Sequence, residues 1–150
     1  MTKLHERDKI KLYNEKFLAN VELTDIVVIE SKSKLFNIFE KEKDKIEMSI
    51  HLTPFSVKLF SNGFSVEISF KLDGGCQEKK LVKLHARVSA IYSYTKPDEV
   101  NSKLYKEFVR IYCKSSALTN IVGFFRKYSL DIITAHGYPR FILPLIKFSN

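Results

Sequence analysis

The chain has 150 residues, 45% of them hydrophobic, with 12 Phe and 7 Tyr. That length fits one domain able to bury roughly 70% of its unfolded surface, which excludes global disorder and a scaffold dependent on disulfides. The net charge of +8 suits anionic partners, but the signs alternate through Leu4–Lys16 and Glu40–Lys45 as on solvated faces, and only Lys103–Lys127 is one-sided.

Residues 1–17 are predicted as a polar helix or arm with a weak apolar stripe of Ile10, Leu12, Tyr13 and Phe17, and the main domain is expected over 18–150. The opening residues are charged, and no apolar run is long enough to span a bilayer, so a cytoplasmic location is expected. In the first strand Ala19, Val21, Leu23, Val27 and Ile29 point one way, against Asn20, Glu22 and Thr24. The segment Ser33–Phe39 follows, ended by the charged run Glu40–Lys45. Next, Ile46, Met48, Ile50 and Leu52 alternate with Glu47, Ser49 and His51. After Pro54 the phase flips to Phe55, Val57 and Leu59, which predicts a bulge or bend at Thr53 and Pro54.

Asn62 and Gly63 predict a hairpin. Beyond it Phe64, Val66, Ile68, Phe70 and Leu72 alternate with Ser65, Glu67, Ser69 and Lys71. Asp73–Gly75 reads as the next turn, and Val82, Leu84, Ala86, Val88, Ala90, Tyr92 and Tyr94 alternate after it. Alternation this clean means an antiparallel sheet with one face buried. A helix is expected over 98–112, with Leu104, Tyr105, Phe108, Ile111 and Tyr112 on one side. The stretch KSSALTN breaks it, and a second helix is expected from Thr119 to His136, ended by Gly137 and Pro139. Strands first and helices after give an α+β domain, a four-stranded antiparallel meander with helices packed on one side. The second helix is apolar over more surface than one small sheet covers. That surplus predicts an oligomer interface at Ile121, Phe125, Tyr128 and Ile132. The strip Phe141–Phe148, flanked by Pro139 and broken by Pro144, is expected to lie extended as a last piece of core.

The stretch TNIVGFFRKYSLDIITAHGYPRFILPLIKF resembles the end of the SecB protein-export chaperones and their SecB-like relatives. Asn120 and Ile121 match the start of that family's long helix, Phe125 its aromatic, and Arg126 or Lys127 the basic residue after it. Gly137 and Pro139 match the turn, and Leu143, Pro144, Ile146 and Phe148 the closing segment, with Leu145 where a second Pro is common. The resemblance covers roughly residues 18–148, and its motifs are structural rather than catalytic. It implies a SecB-like fold, an ATP-independent holdase, a homotetramer or dimer, and unfolded clients in protein export or transport. It also implies contact with the SecA motor, but SecB proper is acidic and uses acidic surface there, whereas this chain is at +8. SecB proper also continues with a further helix and an acidic tail, whereas this sequence stops at Asn150. A divergent SecB-like member is therefore expected, of the kind that in some relatives guards an aggregation-prone antitoxin.

A holdase needs apolar grooves and no active site. A client segment of about ten residues burying about 600 Å² gains roughly 15 kcal/mol gross. Ordering those residues costs about 1–2 kcal/mol each. The terms nearly cancel, so useful affinity needs several grooves engaged by one client. Two apolar sets are candidate groove walls: Leu35, Phe36, Ile38 and Phe39 in the crossing segment, and Phe124 with Phe141 in the helix and closing strip. Burial in the chain's own core is the competing fate for each. His5, His51, His85 and His136 show no metal-ligand spacing with each other or with Cys76 and Cys113, so no metal and no cofactor is expected. No phosphate loop or nucleophile signature occurs, and no enzyme is expected. The alternatives are a nucleic-acid-binding protein, resting on the charge and on Lys103–Lys127, and an adaptor for a single partner on the same fold.

Overall fold

The alternating runs in the middle of the chain become two long central strands. The computed structural model describes residues 4–36, 47–76 and 79–137. Strands β4 (Gly63–Cys76) and β5 (Lys79–Ser93) pair antiparallel, and β1 (Glu22–Leu35) pairs antiparallel with the far side of β5. On the far side of β4, β2 (Glu47–Leu52) and β3 (Ser56–Phe60) follow one another along a single lane. The expected four-stranded antiparallel sheet therefore forms, in the order β1-β5-β4-β2, with its last lane broken into β2 and β3, but it is not a simple meander, because the chain crosses over after β1, which pairs with β5.

Thr53 and Pro54 make that break. Between the pairs Leu52 with Phe70 and Val57 with Val66, the outer lane uses one residue more than β4. The extra residue flips the phase, so an even and an odd position both face the core side. Thr53 bridges the gap. Its backbone N–H donates to the Ser69 carbonyl at 3.0 Å, and its Oγ1 accepts the Ser69 N–H at 3.0 Å.

Phe64, Val66, Ile68, Phe70 and Leu72 of β4 and Val82, Leu84, Ala86, Val88, Ala90 and Tyr92 of β5 are all buried. The residues between them form a polar face. There Arg87 lies 3.9 Å from Glu30 and 3.3 Å from Glu67, a row of alternating charge across β1, β5 and β4. Both signs are mixed on this face, as expected of a solvated surface.

Two expectations about the strands are corrected. Asp73, Gly74 and Gly75 do not start a turn, because β4 runs on to Cys76. Gly74 answers a packing need instead: a Cβ there would lie 2.9 Å from both Met48 Sδ and a methyl of Val82. In β1, Leu23, Val27 and Ile29 do not form one inward stripe. Register shifts between Leu23 and Asp25 and between Val28 and Glu30 place Val27 opposite Ser89 on the polar face, and Ile26 and Val28 opposite Ala90 and Val88 on the core side. Leu23, Val27 and Ile29 are exposed.

Helix α1 (Glu6–Leu12) runs into a wide π-helical turn over Tyr13–Leu18. Phe17 from that turn is fully buried and meets Tyr94 at 4.8 Å, Tyr112 at 5.6 Å, Phe108 at 5.8 Å and Phe64 at 6.1 Å between ring centroids. The segment expected as a polar helix or arm thus begins as a helix and supplies the centre of an aromatic cluster.

After a turn closed by the Val100 N–H on the Pro97 carbonyl, helix α2 (Ser102–Tyr112) begins. Asn101 caps it, accepting the Leu104 N–H at 2.8 Å. KSSALTN does not break the helix. Cys113–Ala117 form a π-helical turn that passes directly into α3 (Leu118–Ala135). Ser115 Oγ donates to the Ile111 carbonyl at 3.2 Å and Thr119 Oγ1 to the Ser115 carbonyl at 2.9 Å, so hydroxyls that favour turns are satisfied inside the helix. Gly137, at φ +87°, ends it as expected. α3 is fixed to the sheet by Phe125, which stacks on Phe70 with centroids 4.1 Å apart.

Candidate binding surface

The core is closed over β4 and β5 and open along one edge of the sheet. Val57 and Leu59 of β3 sit opposite Val66 and Phe64, which are fully buried, yet they are themselves 38% and 39% exposed. β3 therefore presents an apolar side that the helices do not finish covering. The result is a groove of about 470 Å³ between β3 and α2. Its floor is Phe55, Val57, Leu59, Val109 and Cys113, and its rim is Lys106, Arg110 and Lys114.

The sequence builds floor and rim by two periodicities. Val57 and Leu59 are two apart on a strand and share a face, while Lys106 and Arg110 are four apart on α2 and share another, with Lys114 beyond them in the π-helical turn. The three cations are exposed, and none makes an ion pair with a described residue. Cys113 contributes bulk to the floor rather than reactivity. Burial pushes its thiol up to about 11, so it stays protonated at neutral pH.

Several predicted site residues fall elsewhere. Leu35 ends β1 and Phe36 follows it, both partly exposed. Phe36 lines a separate hollow of about 640 Å³ with Met48, Gly74 and Val82. The Lys34 and Lys80 ammoniums lie 4.9 Å and 5.9 Å from its ring centre, so this aromatic face is held by cations. Phe124 is half-buried on α3 and stacks on Tyr128. Ile38, Phe39, Phe141 and the closing strip lie outside the described residues.

The expected oligomer stripe divides. Ile121 and Phe125 are fully buried against the chain's own sheet, because Phe125 is the stacking partner of Phe70. Tyr128 and Ile132 are half-buried on the flank of α3, and the Tyr128 hydroxyl bonds Ser31 Oγ of β1. Sequence reasoning missed Phe55, Val57 and Leu59 as a surface. The phase flip at Pro54 was the signal, since it marks a short, broken outer lane.

The buried tyrosines are anchors rather than acids. Tyr105 donates its hydroxyl to the Gly63 carbonyl at 3.0 Å, and Tyr94 to the Lys16 carbonyl at 2.8 Å. Burial, with Tyr94 as neighbour, pushes Tyr105 up to about 12; burial, with Tyr92 and Cys113 as neighbours, does the same to Tyr112. Among the described residues no three His, Cys, Asp or Glu side chains gather as metal ligands, and no helix is long and apolar enough to cross a membrane.

No protein-family model and no curated protein matches the sequence. Among solved structures, the Mycobacterium tuberculosis Rv1957 SecB-like chaperone, in complex with a ChAD peptide from the Rv1956 HigA1 antitoxin, superposes with a TM-score of 0.72 at 15% identity. That match covers 92% of this chain and 99% of the other. A protein of unknown function from Streptococcus agalactiae matches at 13% identity over 83% of this chain and 97% of the other, with a TM-score of 0.38. The Rv1957 superposition, over nearly the whole of both chains, shows that this chain has the SecB-like fold.

Proposed function

We propose that this protein is an ATP-independent chaperone that holds unfolded or partly folded polypeptide in apolar grooves. The observation that carries this reading is the open side of β3. Val57 and Leu59 stand in a row whose β4 partners are sealed, yet they stay more than a third exposed beside Val109. A surface of that kind favours an extended apolar segment of another chain. The likeness to Rv1957, solved with an antitoxin peptide, supports a dedicated client of antitoxin type ahead of general protein export.

One groove of this size binds weakly, because ordering the client offsets most of the burial. The reading therefore includes a homo-oligomer, a tetramer or dimer, that offers several grooves to one client. Phe124, Tyr128 and Ile132, half-buried along α3, are the candidate contacts between copies, with Ile121 and Phe125 acting from inside to hold that helix in place. Catalysis has no part in this reading, and SecA is not required by it.

The test is dilution of a denatured, unrelated protein into buffer without ATP, followed by light scattering at moderate salt. Suppression near stoichiometric amounts supports the holdase. A folded sample that leaves scattering unchanged, while binding one partner tightly, would reassign the chain as a single-partner adaptor.

A further inference from the structure

We infer that the groove between β3 and α2 selects extended segments in which acidic residues alternate with apolar ones. This inference rests on the holdase reading and names the class of client that this groove takes. Three features of the groove carry it.

The first is charge. Among the described residues the lining holds Lys106, Arg110 and Lys114 and no carboxylate, and the three cations have no ion-pair partner. The polar face of the sheet mixes both signs, so the one-sided charge belongs to the groove side of α2 and is not a general coat. An acidic side chain laid along this rim meets cations that no described residue pairs.

The second is spacing. Lys106 and Arg110 stand four residues apart on α2, a rise of about 6 Å, and Lys114 follows four residues later in the π-helical turn. An extended chain advances about 6.6 Å for every two residues. Carboxylates at alternate positions of a strand thus stay in step with Lys106 and Arg110, and Lys114 adds a third cation beyond them. The intervening side chains turn to the opposite side, where Val57, Leu59 and Val109 form an aliphatic floor.

The third is the poor fit of other occupants. A two-fold contact between copies with its axis through the rim would set Lys106, Arg110 and Lys114 against the same row of the partner copy. That repulsion works against self-association here. Single-stranded nucleic acid would satisfy the cations, but it binds by stacking bases on aromatic rings, and among the described residues of the lining Phe55 is the one ring. An acidic, apolar polypeptide uses both halves of the groove.

The experiment is fluorescence polarisation with three labelled nine-residue peptides, in which Leu alternates with Asp, Ser or Lys. Each exposed charge pair strengthens binding a few-fold, so the Asp peptide is expected to bind roughly tenfold tighter than the Ser peptide at low salt, and the Lys peptide weakest. The triple variant Lys106→Glu, Arg110→Glu, Lys114→Glu is expected to invert the order. A milder variant, Lys106→Gln, Arg110→Gln, Lys114→Gln, should level the three peptides and covers any folding defect of the first. Suppression of aggregation of a neutral client, measured on the same samples, keeps the two readings apart. If wild type suppresses aggregation but binds Asp and Ser peptides equally, this inference fails and the holdase reading stands. If wild type neither suppresses aggregation nor binds any peptide, both fail. A charge variant that changes the mass of the assembly in sedimentation, with peptide order unchanged, would make the groove a contact between copies and overturn the inference. Displacement of the Asp peptide by a single-stranded RNA oligonucleotide of equal charge, at moderate salt, would also overturn it in favour of nucleic acid.

Discussion

β3 and β4 are hydrogen-bonded neighbours with the same alternating pattern, and they meet opposite fates. Val66 and Phe64 of β4 are sealed, while Val57 and Leu59 directly opposite are exposed by more than a third. Alternation decides which way a side chain points. Whether anything lies over it depends on how many lanes the helices can cover. Here the helices close β4 and β5 completely and leave the broken outer lane half-covered. The difference separates a region that holds the fold from a region left for another chain.

The largest effect belongs to the sealed side. Phe17→Ala empties the centre of the aromatic cluster and is expected to destabilise by about 3–5 kcal/mol, read as a shift in a denaturant melt. If it unfolds the chain as strongly as a Phe70→Ala change, the N-terminal segment belongs to the cooperative core. A loss below about 1 kcal/mol would detach it.

Gly63→Ala should follow. An added Cβ would lie 2.0 Å from the Tyr92 carbonyl oxygen, so β4 and β5 must separate at the hairpin end. A loss of about 2 kcal/mol or more in the same melt is expected. Thr53→Ala removes the hydroxyl that accepts the Ser69 N–H across the break, with an expected loss of about 1 kcal/mol. Leu59→Ser, on the open side of β3, should also lower stability by only about 1 kcal/mol while weakening client binding severalfold. Stability and binding therefore part company at β3 and nowhere on β4.

Alkaline pH loads buried groups, Cys113 of the groove floor among them. Cys113 is raised from 9.0 to about 11, and Tyr105 and Tyr112 from 10.0 to about 12, in each case chiefly by burial. The unfolded chain ionises first, so their stabilisation is whole below about pH 9 for the thiol and pH 10 for the phenols. It is lost as pH rises through the folded values. The melting temperature should fall from about pH 9 upward, and Cys113→Ala should flatten the first part of that fall.

The central pair of strands was readable from sequence because period-2 patterning and burial agree along their length. The bend at Pro54 was readable because proline and a phase flip coincide. The helix through KSSALTN was not, since Ser, Thr and Asn favour turns locally and only the hydroxyl bonds within the π-turn show how the helix absorbs them. Phe17 was legible as part of a weak apolar stripe but not as the centre of the core, because an arm and a docked helix differ only in tertiary contacts. For the same reason Ile121 and Phe125 read as a surplus face, although stacking on Phe70 uses Phe125 within the chain. The groove was the least legible feature. Its floor and rim come from segments about fifty residues apart, and nothing local joins Val57 to Lys106.

The most direct test is amide hydrogen exchange on the full chain, alone and with a bound unfolded client. The account predicts slow exchange in β4 and β5 throughout, fast exchange in residues 55–60 of the free protein, and client-induced protection confined to residues 55–60 and 106–114. Protection that appears elsewhere, with residues 55–60 unchanged by the client, would contradict it.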